Sequence, residues 1–139
     1  MWLYEKGNIS LDDVETACCN NHVGFAAWLY SLLPIKDKTK AFDSACSHGS
    51  LDAAKWILSI PGDLNVRYEN DSPFRYACSN GHLDVAKWLL EIQSDIDVHA
   101  EDDDAFCSAV HYGHDDVAEW LYTLPGDLVV RRIHKGVLE

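Results

Sequence analysis

The sequence predicts an all-α solenoid, a stack of helix-turn-helix units joined by short hairpin-like connections. Four repeating columns predict it. Trp28, Trp56, Trp88 and Trp120 are separated by 28, 32 and 32 residues, and Ala17, Ala45, Ala77 and Ala109 keep the same intervals. Phe42, Phe74 and Phe106 repeat the 32-residue step, and a second alanine column runs through Ala26, Ala54, Ala86 and Ala118. A small side chain at a fixed place in every copy is what close, repeated helix contact requires. One helix pair cannot bury its apolar face alone, so the copies must stack around a continuous core.

Taken in chain order, Met1-Trp2-Leu3-Tyr4-Glu5 reads as the close of a second helix, so 1–11 is a partial repeat. Full repeats follow over about 12–39, 40–71, 72–103 and 104–135, with a tail at 136–139, all in one domain. The copy from Ser72, SPFRYACSNGHLDVAKWLLEIQSDIDV, shows how each unit is built. Ser72-Pro73 places a capping hydroxyl before a residue whose missing N–H costs nothing in the first turn, so a helix starts there. Phe74, Ala77 and Cys78 then share one face, and Gly81 takes the left-handed conformation that ends the helix. In the second helix Val85, Ala86, Leu89 and Leu90 point inward while Asp84, Lys87 and Glu91 face water. Pro61-Gly62 and Pro125-Gly126 stop the equivalent helices. Asp63-Leu64-Asn65-Val66 and Asp95-Ile96-Asp97-Val98 alternate polar and apolar residues, which predicts extended arms of a hairpin. Asp104 is expected to cap the last first helix.

The phrase Ser72-Pro73-Phe74-Arg75-Tyr76-Ala77 followed by Gly81-His82, and Asp104-Ala105-Phe106-Cys107-Ser108-Ala109 followed by Gly113-His114, resembles the ankyrin-repeat pattern T-P-L-H-x-A with G-H opening the second helix. The likeness covers nearly the whole chain. With Phe in place of Leu, Ala-Cys in the first helix and Ala-Lys-Trp-Leu-Leu in its partner, the repeats most resemble the ankyrin arrays of giant DNA viruses of amoebae. The period here is 32 residues, and the hairpin glycine is absent at Glu101-Asp102-Asp103.

Composition narrows the function. Net charge is -12, with 11 basic against 23 acidic side chains in 139 residues, which opposes long-range attraction to nucleic acid. The stretch Glu91–Glu119 carries ten acidic residues and no Lys or Arg, whereas Arg131, Arg132 and Lys135 gather near the end. There is no long apolar run to span a bilayer and no signal-like N-terminus. The expectation is an intracellular, cytoplasmic protein without a membrane partner, in the host cytoplasm if it is viral. Of the five cysteines, Cys18, Cys46 and Cys78 form a packing column with Val110 and are expected to pack rather than bridge, while Cys19 and Cys107 fall off that column, nearer the surface.

His22, His82 and His114 occupy one repeat column, which predicts turn histidines bonded within or between repeats, since a catalytic residue is needed once. Cys107, His111 and His114 stand at i, i+4 and i+7, but Gly113 is expected to end the helix before His114, and two ligands do not make a zinc site. The run Glu101–Asp104 fails the calcium-loop pattern, with Ala100 and Phe106 where glycine and glutamate are needed. No nucleophile-base pair or phosphate loop is present, so neither an enzyme nor a cofactor is expected.

What the resemblance implies is recognition of a protein partner on a concave face made of hairpin tips and first helices. Carried over, that face is Glu69, Asn70, Asp71, Arg75, Ser79 and Asn80, then Glu101, Asp102, Asp103, Cys107, His111 and Tyr112, with Asp37, Lys38, Thr39, Ser47 and His48 before them. These positions vary between copies while the packing columns repeat. The acidic tip would suit a basic partner, and replacing Glu101, Asp102 and Asp103 by serine is expected to leave stability unchanged, because none lies in a packing column. The alternatives are a spacer within a longer array or end-to-end self-association.

Overall fold

The computed structural model describes residues 11–32 and 38–124. Among them are eight helices and no strand: α1 (Leu11–Cys19), α2 (Val23–Leu32), α3 (Lys38–Ser47), α4 (Leu51–Ser59), α5 (Tyr68–Ser79), α6 (Leu83–Ile92), α7 (Ala100–His111) and α8 (Asp115–Thr123). Residues 1–10 of the partial repeat expected over 1–11, residues 33–37 with Asp37 among them, and everything from Pro125 on, including Arg131, Arg132 and Lys135, lie outside the described residues.

The helices pair as α1/α2, α3/α4, α5/α6 and α7/α8, and the first helices of successive pairs pack against one another along the stack, more closely than the second helices do. Their phase is the one the columns dictate. Ala45, Ala77, Ala109, Ala26, Ala54 and Ala86 are fully buried, as are Cys46 and Cys78, around a core completed by Phe42, Phe74, Leu29, Ile57 and Leu89. Ala118, in the last described pair, is only partly buried. The tryptophans lie at the core margin and join neighbouring repeats, with Trp88 5.9 Å from Phe42 and Trp120 6.1 Å from Phe74 between ring centroids.

The histidine column joins repeats in a way the sequence does not specify. Gly49 and Gly81 have φ of +74° and +81°, ending their helices as expected. The imidazole of the next repeat lies against each: a Cβ on Gly49 would fall 2.4 Å from His82 Nδ1, and one on Gly81 2.5 Å from His114 Nδ1. Glycine therefore serves twice, for the turn and for the histidine's seat. Gly113, φ +77°, has nothing within 4 Å of its imaginary Cβ. We expect Gly81→Ala to cost about 1–3 kcal/mol more than Gly113→Ala, since both carry the strain of the left-handed backbone but only the first displaces a packed ring. Denaturant midpoints of the two variants measure the difference.

The connections depart from the expected hairpin. No strand forms there among the described residues, and Glu69, Asn70 and Asp71 are three consecutive left-handed residues, with φ of 45°, 55° and 61°. Glu101, Asp102 and Asp103 repeat this, with φ of 56°, 55° and 61°. The right-handed first helix starts only after them. Left-handed backbone costs an L-residue roughly 1–2 kcal/mol, and such a run persists only where its surroundings hold it.

A carboxylate at the third position does the holding. Asp71, 1% exposed, accepts Arg67 Nε at 2.8 Å and Nη2 at 2.9 Å, and the backbone N–H of Asp97 in the next connection at 3.0 Å. Thr39 Oγ1 accepts the N–H of Asn65 at 3.1 Å in the same register. Asp103, also 1% exposed, has His99 Nδ1 2.5 Å away, so His99 stands where Arg67 stood one repeat earlier. Asn65 and Asp97 shape the approach, each accepting the N–H two residues on, from Arg67 at 3.0 Å and His99 at 2.9 Å. The residues expected to cap helices bond elsewhere. Ser72 Oγ donates to Asp43 at 3.0 Å, and Asp104 accepts from Ser108 and from Arg75, both at 3.1 Å.

Candidate functional site

The expected recognition residues separate into two groups once their contacts are known. Asp71 and Asp103 are buried latches rather than exposed tip residues, because their carboxylates bind the side chain four residues earlier, the guanidinium of Arg67 and the imidazole of His99. Arg75 is tied down as well. Its Nε and Nη2 donate to the carbonyls of Asn70 and Glu69, each at 2.9 Å, its Nη1 pairs with Asp104, and its guanidinium lies 5.6 Å from the Tyr76 ring centroid. It closes the left-handed turn from the helix side by satisfying two turn carbonyls. Ser79 is buried, and Lys38 is buried too, its ammonium donating to the carbonyls of Ile60 and Gly62. Of these five, Asp71, Asp103, Ser79 and Lys38 are buried, and the partly buried Arg75 is bonded within the turn.

The remaining residues form an accessible band along the first-helix side. Glu69, Asn70, Glu101 and Asp102 are exposed at the turns, with Asn70 Nδ2 donating to Glu101 Oε1 at 2.7 Å across repeats. That bond crosses a polar cleft of about 290 Å³ lined by Arg67, Asn70, Asp71, Asp97, Ala100 and Glu101. Asn80 and His111 are exposed, Cys107 is half-buried, and Tyr112 is 63% exposed with its ring edge-on to His111 at 4.8 Å. Asn80 also donates to the Ser47 carbonyl at 2.8 Å. Sequence reasoning missed Tyr76, 46% exposed in the middle of the band. Its position one residue before the Ala77 column, held by serine in Ser44 and Ser108, is the signal that could have found it.

The band is acidic at its turn edge. Asp95 lies beyond it, held below the usual carboxylate range by a hydrogen bond from Gln93 and by Arg67. His82 is shifted below the ordinary imidazole range by burial, against weaker opposing influences that include Asp84 and a bond to the Ser47 backbone. Its seat over Gly49 thus favours a neutral ring.

All five cysteines are unbridged. Burial raises Cys18 to about 11 and pushes Cys46 and Cys78 further above the thiol range. Cys19 and Cys107 are raised as well, by partial burial and acidic neighbours, but both are accessible. The thiolate is the reactive form, so exposure decides among them. In the native protein a disulfide-exchange reagent is expected to titrate Cys19 and Cys107 slowly and to leave Cys18, Cys46 and Cys78 until unfolding. Reductant should not move the melting temperature. Rapid labelling of all five, or a drop with reductant, would contradict the packing role.

Among the described residues no set of three His, Cys, Asp or Glu side chains is placed to hold a metal, and no helix is long and apolar enough to cross a membrane. Paired helices, a small-residue seam and connections that interlock from repeat to repeat define a solenoid of the interaction class. The family model for ankyrin repeats, three copies, matches residues 42–131, and the chain belongs to that family. Ankyrin repeats are generally protein–protein interaction modules rather than catalysts. A search of curated proteins gives no match.

Proposed function

We propose that this chain holds a protein partner on its first-helix side, across the turn residues Glu69, Asn70, Glu101 and Asp102, the helix residues Tyr76, Cys107 and His111, and the helix-end residues Asn80 and Tyr112. The observation that carries this reading is the contrast between columns. Where one repeat buries alanine the next buries alanine, yet the accessible positions run Ser44, Tyr76, Ser108 and His48, Asn80, Tyr112. Closer packing of the first helices than of the second supports a stack that curves toward this side and makes it concave. Exposed tyrosines give rigid, amphipathic contact area of the kind enriched in interface cores.

The acidic turns and the net charge of -12 support a basic partner, steered by exposed carboxylates. Its association rate should fall as salt rises, because such steering is screened over about 10 Å at 0.1 M. The likeness of the repeats to amoebal giant-virus arrays supports a host protein as target and the host cytoplasm as the place of encounter.

The test is quantitative capture from amoebal lysate on three immobilised proteins. They are the wild type, an inner-side variant (Tyr76→Ser, His111→Ser, Tyr112→Ser) and an outer-side variant (Lys55→Ser, Lys87→Ser, Glu119→Ser). A protein retained by the wild type and the outer-side variant but lost from the inner-side variant supports the reading. Equal retention by all three, or loss only on the outer side, overturns it, and a spacer would give no retained protein at all.

A further inference from the structure

We infer that the joint between the second and third repeats is acid-sensitive, closed while the imidazole of His82 is neutral and loosened when that ring takes a proton. The joint stands on its own contacts, and only its consequence for partner retention rests on the reading above.

Three joints can be compared position by position. In the first, the left-handed residue is Asn21, φ 58°, and the next repeat brings Ser50, whose Oγ donates to the Cys19 carbonyl at 2.6 Å. The Asn21 side chain crosses the same joint, its Oδ1 accepting the N–H of Ala53 at 2.9 Å. In the second and third joints glycine replaces Asn21 and histidine replaces Ser50, as Gly49 with His82 and Gly81 with His114. Serine goes with a seat that carries a side chain and histidine with one that carries none, because a Cβ on Gly49 would lie 2.4 Å from the ring. Ser47 stands where Cys19 stood, and its carbonyl accepts from the His82 ring and from Asn80 Nδ2, the latter at 2.8 Å. The first joint therefore closes with groups that do not titrate near neutral pH, and the second with one that does.

The surroundings of His82 decide which form of the ring the closed joint accepts. His48, just after α3, and His114, just before α8, flank it, so protonation sets like charges side by side along the joint. Asp84 at the start of α6 and the Ser47 carbonyl favour a charged ring, but burial outweighs both. Asp52 of α4 faces the preceding repeat, accepting Asn21 Nδ2 at 3.4 Å, and His111 of α7 has its ring against Tyr112. Opening the joint returns the ring to water and to its ordinary value of 6.5. The closed joint binds the proton more weakly than the open one, so its stability is complete above pH 6.5 and is lost as pH falls below it. One pH unit lower, the closing equilibrium drops by up to about tenfold. Asn80 shares the Ser47 carbonyl and Tyr76 lies one turn before it, so acid loosens the surface on which a partner would sit.

Two measurements on the full chain test this. Gly49→Asn with His82→Ser carries the first joint's pairing into the second, and asparagine tolerates the left-handed backbone. Between about pH 7.5 and 5.5 the denaturant midpoint of the wild type should fall further than that of the double variant. The remaining histidines are common to both proteins, so their direct contributions cancel. The His82 ring, followed by NMR in the wild type, should titrate below 6.5. If the double variant fails to fold, His82→Gln, which puts a neutral amide in place of the ring, is read the same way. Equal midpoint shifts in wild type and variant, or a ring that titrates at or above 6.5, overturn the proposal. A partner captured at neutral pH should be released at about pH 5.5 from the wild type in preference to the double variant. Equal retention alongside unequal midpoint shifts would overturn the coupling to the inner side, and the reading above with it, and leave the joint standing.

Discussion

Asp71→Ala is expected to destabilise the protein by about 2–4 kcal/mol, whereas Asp102→Ala, also at a left-handed position, should stay within roughly 0.5 kcal/mol of wild type. The Asp71 carboxylate accepts two bonds from Arg67 and one from the Asp97 N–H while 1% exposed. Its removal leaves a backbone donor in the seam between connections without its partner, which costs about 1–3 kcal/mol. The charge-assisted bonds to Arg67 add less than a fully buried pair would, because that side chain is 38% exposed and can turn to water. The left-handed turn of Glu69, Asn70 and Asp71 then loses its anchor and relaxes. Asp102 is exposed and carries no such contact. The combined Glu101, Asp102 and Asp103 serine variant is accordingly expected to lose stability, because Asp103 is a latch for the His99 turn. Denaturant melts of the single variants separate the two roles. Equal midpoints for Asp71→Ala and Asp102→Ala would show that the buried carboxylates do not hold the turns.

Ala86→Leu is expected to be comparably severe, at about 2–3 kcal/mol, since overfilling a packed core typically costs 1–3 kcal/mol and Ala86 is fully enclosed. Three added heavy atoms there push one repeat away from the next, so the loss spreads along the stack through neighbouring interfaces. Ala118→Leu, the same change one repeat later, should cost under about 1 kcal/mol. Its side chain borders the open pocket beside Phe106, where the additional atoms have room. Lys87→Ala, on the wet side of the same helix as Ala86, should stay within about 0.5 kcal/mol. Chemical denaturation of the three variants gives the order directly, and a cost at Ala118 equal to that at Ala86 would place the last helix pair wrongly.

The helices and their phase were legible in the sequence because their determinants are periodic. Alanine, cysteine and tryptophan recur at one interval, and burial follows that interval in the inner repeats. The turns were not legible, for a physical reason. Three consecutive left-handed non-glycine residues run against local preference, and what compensates is a set of contacts from four residues earlier and from the next connection. The cue exists as Arg67 before Asp71 and His99 before Asp103, a side-chain N–H donor four residues ahead of an aspartate at the 32-residue step. A charged pair in an exposed loop, however, reads locally as a solvated tip. Arg75, carried over as a recognition residue, has a guanidinium that closes a turn, a contact the sequence does not mark. Tyr76 was not among the expected recognition residues, although its contrast with Ser44 and Ser108 in the same column marks it as variable. Tertiary partners decide these cases, and a column of letters does not contain them.

Whether an invariant packed scaffold presents a variable first-helix face to a protein partner is tested most directly by hydrogen–deuterium exchange of the chain, free and bound to a captured partner. New protection should appear on amides of the turns around Asn70 and Asp102 and of the first-helix ends around Asn80 and Tyr112, with α4, α6 and α8 unchanged. Protection confined to α4, α6 and α8, or absent from both turns, would contradict it.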